Sequence, residues 1–240
     1  MSRTSASSTK HIVVYGEPAV GKTCFIDMLI HKKHFALWIF SDGFKTYNTK
    51  IDGQEWHLQL VDINSALFRE AESQQGGLID AFNHYMTDSQ GFVLLYSITD
   101  QRSFEYITNE AYVEIFRHRR SANEKNEPYP NGRQRFAAVL VGTKLDQAHE
   151  AREVDKDVAE DWASSQGMQF FELDTHSQGS LEEIMEVLAK DIARNEKWDQ
   201  EEDNERRNAE KAAKRKTSRG TSWIGNAARG LLPKNAARPK

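Results

Sequence analysis

Cysteine is almost absent from this chain: Cys24 is the only one in 240 residues. No intramolecular disulfide can form, which excludes a disulfide-stapled secreted scaffold and makes the chain read as intracellular. Long apolar runs are missing too, and none approaches the roughly 18 residues that span a bilayer. Met1 to Lys10 is polar and rich in Ser and Thr, without the apolar core of a signal peptide. Ser2 stands where N-myristoylation needs Gly, and the terminal Ala-Arg-Pro-Lys is not a prenylation motif. The expectation is a cytoplasmic monomer, peripheral at a membrane at most and without a lipid anchor.

What is present is charge, unevenly placed. Charged residues make up 28% and hydrophobic ones 38%, a composition more polar than one packed core needs. The net charge of −4 conceals a division. Residues 206–240 hold 11 Lys and Arg against one acid, Glu210, and so carry +10; the remainder holds 21 basic and 35 acidic residues and carries −14. An acidic body with a basic tail places any weak contact with an anionic membrane on the tail. The same composition would suit RNA, an import receptor or plain solvation.

Apolar, β-branched runs at Ile12–Tyr15, Gly91–Tyr96 and Phe136–Val141 read as buried strands, and Met168–Phe171 as a shorter last one. Phe44–Ile51 and Trp56–Ile63 flank Asp52-Gly53, a strong hairpin signal. Helical spacing recurs after the first strand, over Ser103–Arg120, over Val154–Gln166 and from Leu181 to Ile192. This alternation predicts an α/β fold: a six-stranded, mostly parallel sheet with one antiparallel edge strand and about five helices. Ser73–Gly77 and Ser121–Arg135 read as exposed connections. The expected organisation is a disordered N-terminus over 1–10, a folded α/β domain over 11–194 and a charged extension over 195–240. That extension is helical at first and disordered past Thr217.

Gly16-Glu17-Pro18-Ala19-Val20-Gly21-Lys22-Thr23 fits the P-loop pattern, with a strand before it and a helix after it. Glycines let backbone N–H groups curl around phosphate oxygens. Lys22 supplies a positive charge for the β- and γ-phosphates, Thr23 a hydroxyl for Mg²⁺, and the following helix its N-terminus. Pro18 removes one N–H from the loop. Further on, Thr143-Lys144-Leu145-Asp146 closes a buried strand, at the sheet end where parallel α/β folds bind ligands. A carboxylate at Asp146 accepts from guanine N1–H and the exocyclic amine, whereas adenine offers an acceptor there; the Lys144 stem can cover the base. Lys-x-Asp alone is a weak signal, but downstream of a P-loop it is specific.

Over roughly Lys10 to Arg194 the sequence resembles the Ras-like small GTPase family. The resemblance rests on the P-loop, Leu60-Val61-Asp62 ending the hairpin, Thr143 to Asp146, and Gln178-Gly179-Ser180-Leu181 before the last helix. Thr in place of Asn at position 143 is the form of Rho-type members. The resemblance implies GTP and GDP as ligands with Mg²⁺, and effector, exchange-factor and GTPase-activating partners in signal transduction. It implies that Gly16 to Cys24 surround the phosphates and that Thr23 and Asp62 hold the metal. It places Thr143, Lys144, Asp146, Thr175 and His176 around the base, and Phe35 on the guanine edge. Core packing is the other reading of Phe35, and a half-buried strand-end carboxylate the other reading of Asp62.

The sequence departs from the family where hydrolysis is organised. Thr-Ala-Gly-Gln normally follows the metal Asp, but Asp62 is followed by Ile63-Asn64-Ser65-Ala66, and Ala66 cannot orient a water molecule. No Thr lies at Phe40 to Asp42, where the first switch should supply a Mg²⁺ ligand; Ser41 or Asp42 could stand in. No catalytic residue is assigned. The expectation is a switch that hydrolyses GTP slowly, with a non-hydrolysing nucleotide-binding module as the alternative. A P-loop enzyme of another type, such as a small-molecule kinase, is the least favoured reading, because no recognisable lid or acceptor site follows in the sequence and Lys-x-Asp favours guanine.

Overall fold

The computed structural model describes residues 9–33, 45–64, 77–122 and 135–229. Phe35, Ser41, Asp42, Ser65 and Ala66 lie outside them. The strands are β1 (Lys10–Gly16), β2 (Lys45–Ile51), β3 (Gln54–Asn64), β4 (Gly91–Ser97), β5 (Ala137–Thr143) and β6 (Gln169–Glu172). They form one sheet in the order β2-β3-β1-β4-β5-β6. Every neighbouring pair is parallel except β2–β3. Asp52 and Gly53 take the left-handed backbone that a two-residue hairpin turn requires.

The helices are α1 (Lys22–His31), α2 (Gly77–Asp88), α3 (101–122), the short α4 (Ala148–Ala151), α5 (Lys156–Ser165) and α6 (Gln178–Arg229). β4 and β5 are buried along their whole length, which is why they read as continuous apolar runs. One face of the sheet packs against α1 and the start of α6, whose Leu181, Ile184, Met185, Leu188 and Ile192 are buried in a helical stripe. Gly91 allows that contact to be close, since a Cβ there would meet Ile12 at 2.9 Å and Ile192 at 3.1 Å. The other face packs against α2, α3 and α5.

The structure differs from the sequence reading in four places. α2 occupies a stretch that carried no assignment, and buries Phe82 and Met86. α3 starts at Gln101, behind an Asp100 cap, and contains a π-helical turn at Ile107–Ala111. α5 starts two residues later than expected because the Asp155 carboxylate accepts from the Asp157 N–H. α6 continues past Thr217 to Arg229, through Gly220 and Gly225. Glycine weakens a helix by only about 1 kcal/mol, and no proline intervenes before Pro233. The chain divides into two compact units, Met1–Asn195 and Glu196–Lys240. In the second, Lys197–Glu201 and Asp203–Arg206 ion pairs lie along the helix at 3.9 and 3.8 Å.

Candidate functional site

The site is built where β1, β3, β5 and β6 end on the same edge of the sheet. β1 delivers Gly16 directly beneath β4: a Cβ at this position would stand 2.2 Å from the Leu95 carbonyl oxygen, so only glycine fits. The loop then turns through Ala19 and Gly21, both with positive φ (61° and 97°), and enters α1 at Lys22. Gly21 caps the helix without a side chain, leaving the first-turn N–H groups of α1 directed at the loop.

Lys22 is buried, and its ammonium donates to the carbonyls of Gly16 (3.0 Å) and Glu17 (2.7 Å). Burial pushes its pKa below the usual lysine range, while the charges of Asp62 and Glu17 pull it back up. An anionic phosphate beside it would act in the same direction as those carboxylates. Thr23 and Asp62 touch, the hydroxyl donating to the carboxylate at 2.6 Å, and both are exposed. The register of β1 with β3 sets this meeting, since Val14 lies opposite Asp62. One hydroxyl and one carboxylate make a hard-oxygen set with few protein ligands. That fits Mg²⁺, which keeps several waters and takes its remaining ligands from phosphates.

The residues expected at the base lie on the segments after β5 and β6. Thr143 is fully buried, with its hydroxyl 2.7 Å from the Val20 carbonyl and 3.0 Å from that of Tyr96. It therefore ties the end of β5 to the phosphate loop. Lys144 follows in left-handed backbone, and Asp146 lies exposed in a short 3₁₀ turn at Leu145–Gln147. The Leu145 N–H donates to the Leu173 carbonyl, fastening this turn to the segment after β6. There Thr175 is buried with its methyl 3.5 Å from where a Gly21 Cβ would stand, and its hydroxyl accepts from the Cys24 thiol at 3.3 Å. His176 folds back so that its N–H and ring nitrogen each lie 2.9 Å from Asp174 Oδ1. Burial alone would raise the Asp174 carboxyl, but these bonds outweigh it and hold the group below its usual range.

The sequence-assigned residues Gly16 to Cys24, Asp62, Thr143, Lys144, Asp146, Thr175 and His176 thus come together at one edge. Sequence reasoning missed the contact of Cys24 with Thr175. It also missed Asp27 of α1, which is 5% exposed and ion-paired with Lys45. A charged residue at an inward helical position, between Ile26 and Met28, was the available signal.

The Ras family model matches residues 11–194. The chain is 28% identical over 183 residues to the Ras-related protein Rab-13 of Bos taurus, covering 75% of this chain and 78% of that protein. It is 27% identical over 190 residues to the NF-kappa-B inhibitor-interacting Ras-like protein 1 of Mus musculus, covering 76% and 85%. To Rab-8A of Gallus gallus it is 27% identical over 184 residues, covering 75% and 77%. With its sheet order, phosphate loop and base loops in place, the chain belongs to the Ras family.

Proposed function

We propose that this chain is a guanine-nucleotide switch that binds GTP and GDP with Mg²⁺ and hydrolyses GTP slowly. The observation that carries the reading is the meeting of Thr23 and Asp62 beside buried Lys22, at the loop bridged to the base site by Thr143. Lys22 and the α1 N-terminus neutralise phosphate charge, Thr23 and Asp62 hold the metal, and Asp146 selects guanine under the Lys144 stem. Mg²⁺ held by Thr23 and Asp62 would supply neutralisation of phosphate charge. Residues 11–194 form the nucleotide-binding domain. The 195–240 extension adds a basic tail suited to weak contact with an anionic membrane. Exchange factors, GTPase-activating proteins and effectors are the corresponding partners.

One feature favours a second reading. Ala66 stands where the family carries its water-orienting Gln, which suits a nucleotide-binding interaction module without turnover. Identifying the nucleotide that copurifies, then following single-turnover hydrolysis with and without Mg²⁺, separates the two. The switch reading expects guanine nucleotide and a slow, Mg²⁺-dependent loss of GTP that Ala66→Gln accelerates. Bound GTP that persists in wild type and in Ala66→Gln alike would leave the module reading standing.

A further inference from the structure

We propose that Asp27 and Lys45 are a positioning pair that sets the spacing between α1 and the β2–β3 hairpin at the Thr23–Asp62 metal site; this deepens the guanine-nucleotide reading and rests on it. Asp27 is four residues after Thr23, one helical turn along the same face of α1. Thr23 reaches Asp62 on β3, and Asp27 reaches Lys45, the first residue of β2. Lys45 lies opposite Leu60 in the antiparallel register, two residues before Asp62. One helix face therefore makes two polar bridges to one end of one hairpin.

The pair is unexpected on packing grounds. Around it α1 presents Phe25, Ile26, Met28 and Leu29 to the core, all buried. The Asp27 side chain is 7% exposed and that of Lys45 26%. An apolar residue at position 27 would avoid the desolvation of a carboxylate. Apolar packing, however, is non-directional, whereas a charge-assisted hydrogen bond fixes both distance and direction. Mg²⁺ demands near-ideal octahedral geometry, so the Thr23 hydroxyl and the Asp62 carboxylate must keep a fixed separation. Loosening the second bridge then acts on metal affinity, and through it on nucleotide retention.

The test uses the full-length protein, comparing wild type, Asp27→Asn, Lys45→Gln and the swapped pair Asp27→Lys with Lys45→Asp. Release of fluorescent GDP is measured across a Mg²⁺ titration and in excess chelator. Thermal denaturation is followed in parallel with Mg²⁺ and inorganic tripolyphosphate, which needs no base site. Asn at position 27 keeps the shape and a hydrogen-bond acceptor, so this variant tests the charge with the least risk to folding. The expected result is a Mg²⁺ midpoint raised about tenfold in Asp27→Asn, the order of effect of weakening one charge-assisted hydrogen bond. Release in chelator stays at the wild-type rate, and the swapped pair moves the midpoint back toward wild type. Equal acceleration with and without Mg²⁺ would overturn the proposal, because the pair would then hold the fold and not the metal site. Unchanged release at every Mg²⁺ level would overturn it too. If wild type retains no GDP, the guanine reading fails by itself. The pair proposal then stands only if tripolyphosphate with Mg²⁺ stabilises wild type more than Asp27→Asn, and falls if both respond alike or neither responds.

Discussion

Asp146 is exposed at the end of β5, free of the core packing that fixes Thr143 a few residues earlier. It lies on a short 3₁₀ turn fastened to Leu173, and the proposed function assigns its carboxylate to the two donors of guanine. Asp146→Asn replaces one acceptor oxygen by an N–H donor. GTP affinity should fall by about 2 kcal/mol or more, the scale of a bond to a charged group. Affinity for xanthine nucleotides should rise, because their base offers a carbonyl where guanine has its amine. Competition binding of GTP, ATP and xanthosine triphosphate to both forms checks this, and equal affinity of the wild type for ATP and GTP would remove the basis of the assignment. Burial separates these residues into two kinds. Thr143 and Gly16 act by holding loops against one another, so substitution there disturbs the whole edge. Asp146, Thr23 and Asp62 face outward, so conservative changes there should alter binding with little effect on the fold.

The contacts of α3 with β1 make an element-scale prediction. Tyr15, the residue before Gly16, is fully buried; its hydroxyl is 2.7 Å from that of Tyr106 and donates to Glu114 at 2.9 Å. Tyr106 precedes the π turn of α3 and Glu114 follows it, so the widened turn aims both side chains at one strand residue. Burial, with Tyr106 and Glu114 adding to it, raises the Tyr15 pKa far above the usual phenol, so the group remains a donor across physiological pH. Tyr15→Phe should therefore destabilise the domain by about 2 kcal/mol, and Glu114→Gln by less since an acceptor remains; urea denaturation of the three forms measures both. This network was illegible in the sequence, where Tyr15 is simply the polar-tipped end of an apolar run and nothing marks a π turn. By contrast, β1, β4 and β5 were legible because strands buried on both faces have no reason to alternate. The Asp-Gly hairpin was legible because positive φ at two successive residues restricts the turn to a few residue types. α2 went unread because its apolar residues follow a polar, Gly-containing stretch that reads as a connection. The Gly16–Thr23 and Thr143–Asp146 segments stand out as motifs because each is a short contiguous pattern, whereas the Asp27–Lys45 bridge depends on two elements meeting in space.

At the scale of the whole molecule the charges are segregated, with −14 on residues 1–205 and +10 on residues 206–240. The chain's two compact units divide earlier, after Asn195, so the second unit begins with an acidic stretch before the basic one. Acidic residues are concentrated in the early part of the second unit, and Arg206, Arg207, Lys211, Lys214, Arg215, Lys216 and Arg219 follow them. Each Lys or Arg near an anionic bilayer contributes about 1 kcal/mol, so several acting together suffice for reversible attachment without a lipid chain. The acidic domain opposes approach by its own repulsion, and salt screens both effects over about 8 Å at physiological ionic strength. The full-length protein should therefore sediment with phosphatidylserine vesicles at low salt and release as salt is raised. A form truncated after Glu205 should stay in the supernatant. Trp223-Ile224 and Leu231-Leu232 follow the basic run with apolar side chains, and the share of the first pair is read from Trp223→Ala. Unchanged sedimentation of Trp223→Ala would assign the attachment to charge alone, and a reduced fraction would add apolar insertion to it. If the full-length and truncated forms both remain soluble with vesicles at low salt, the tail does not attach to lipid, and its +10 charge then serves solvation or a different polyanion.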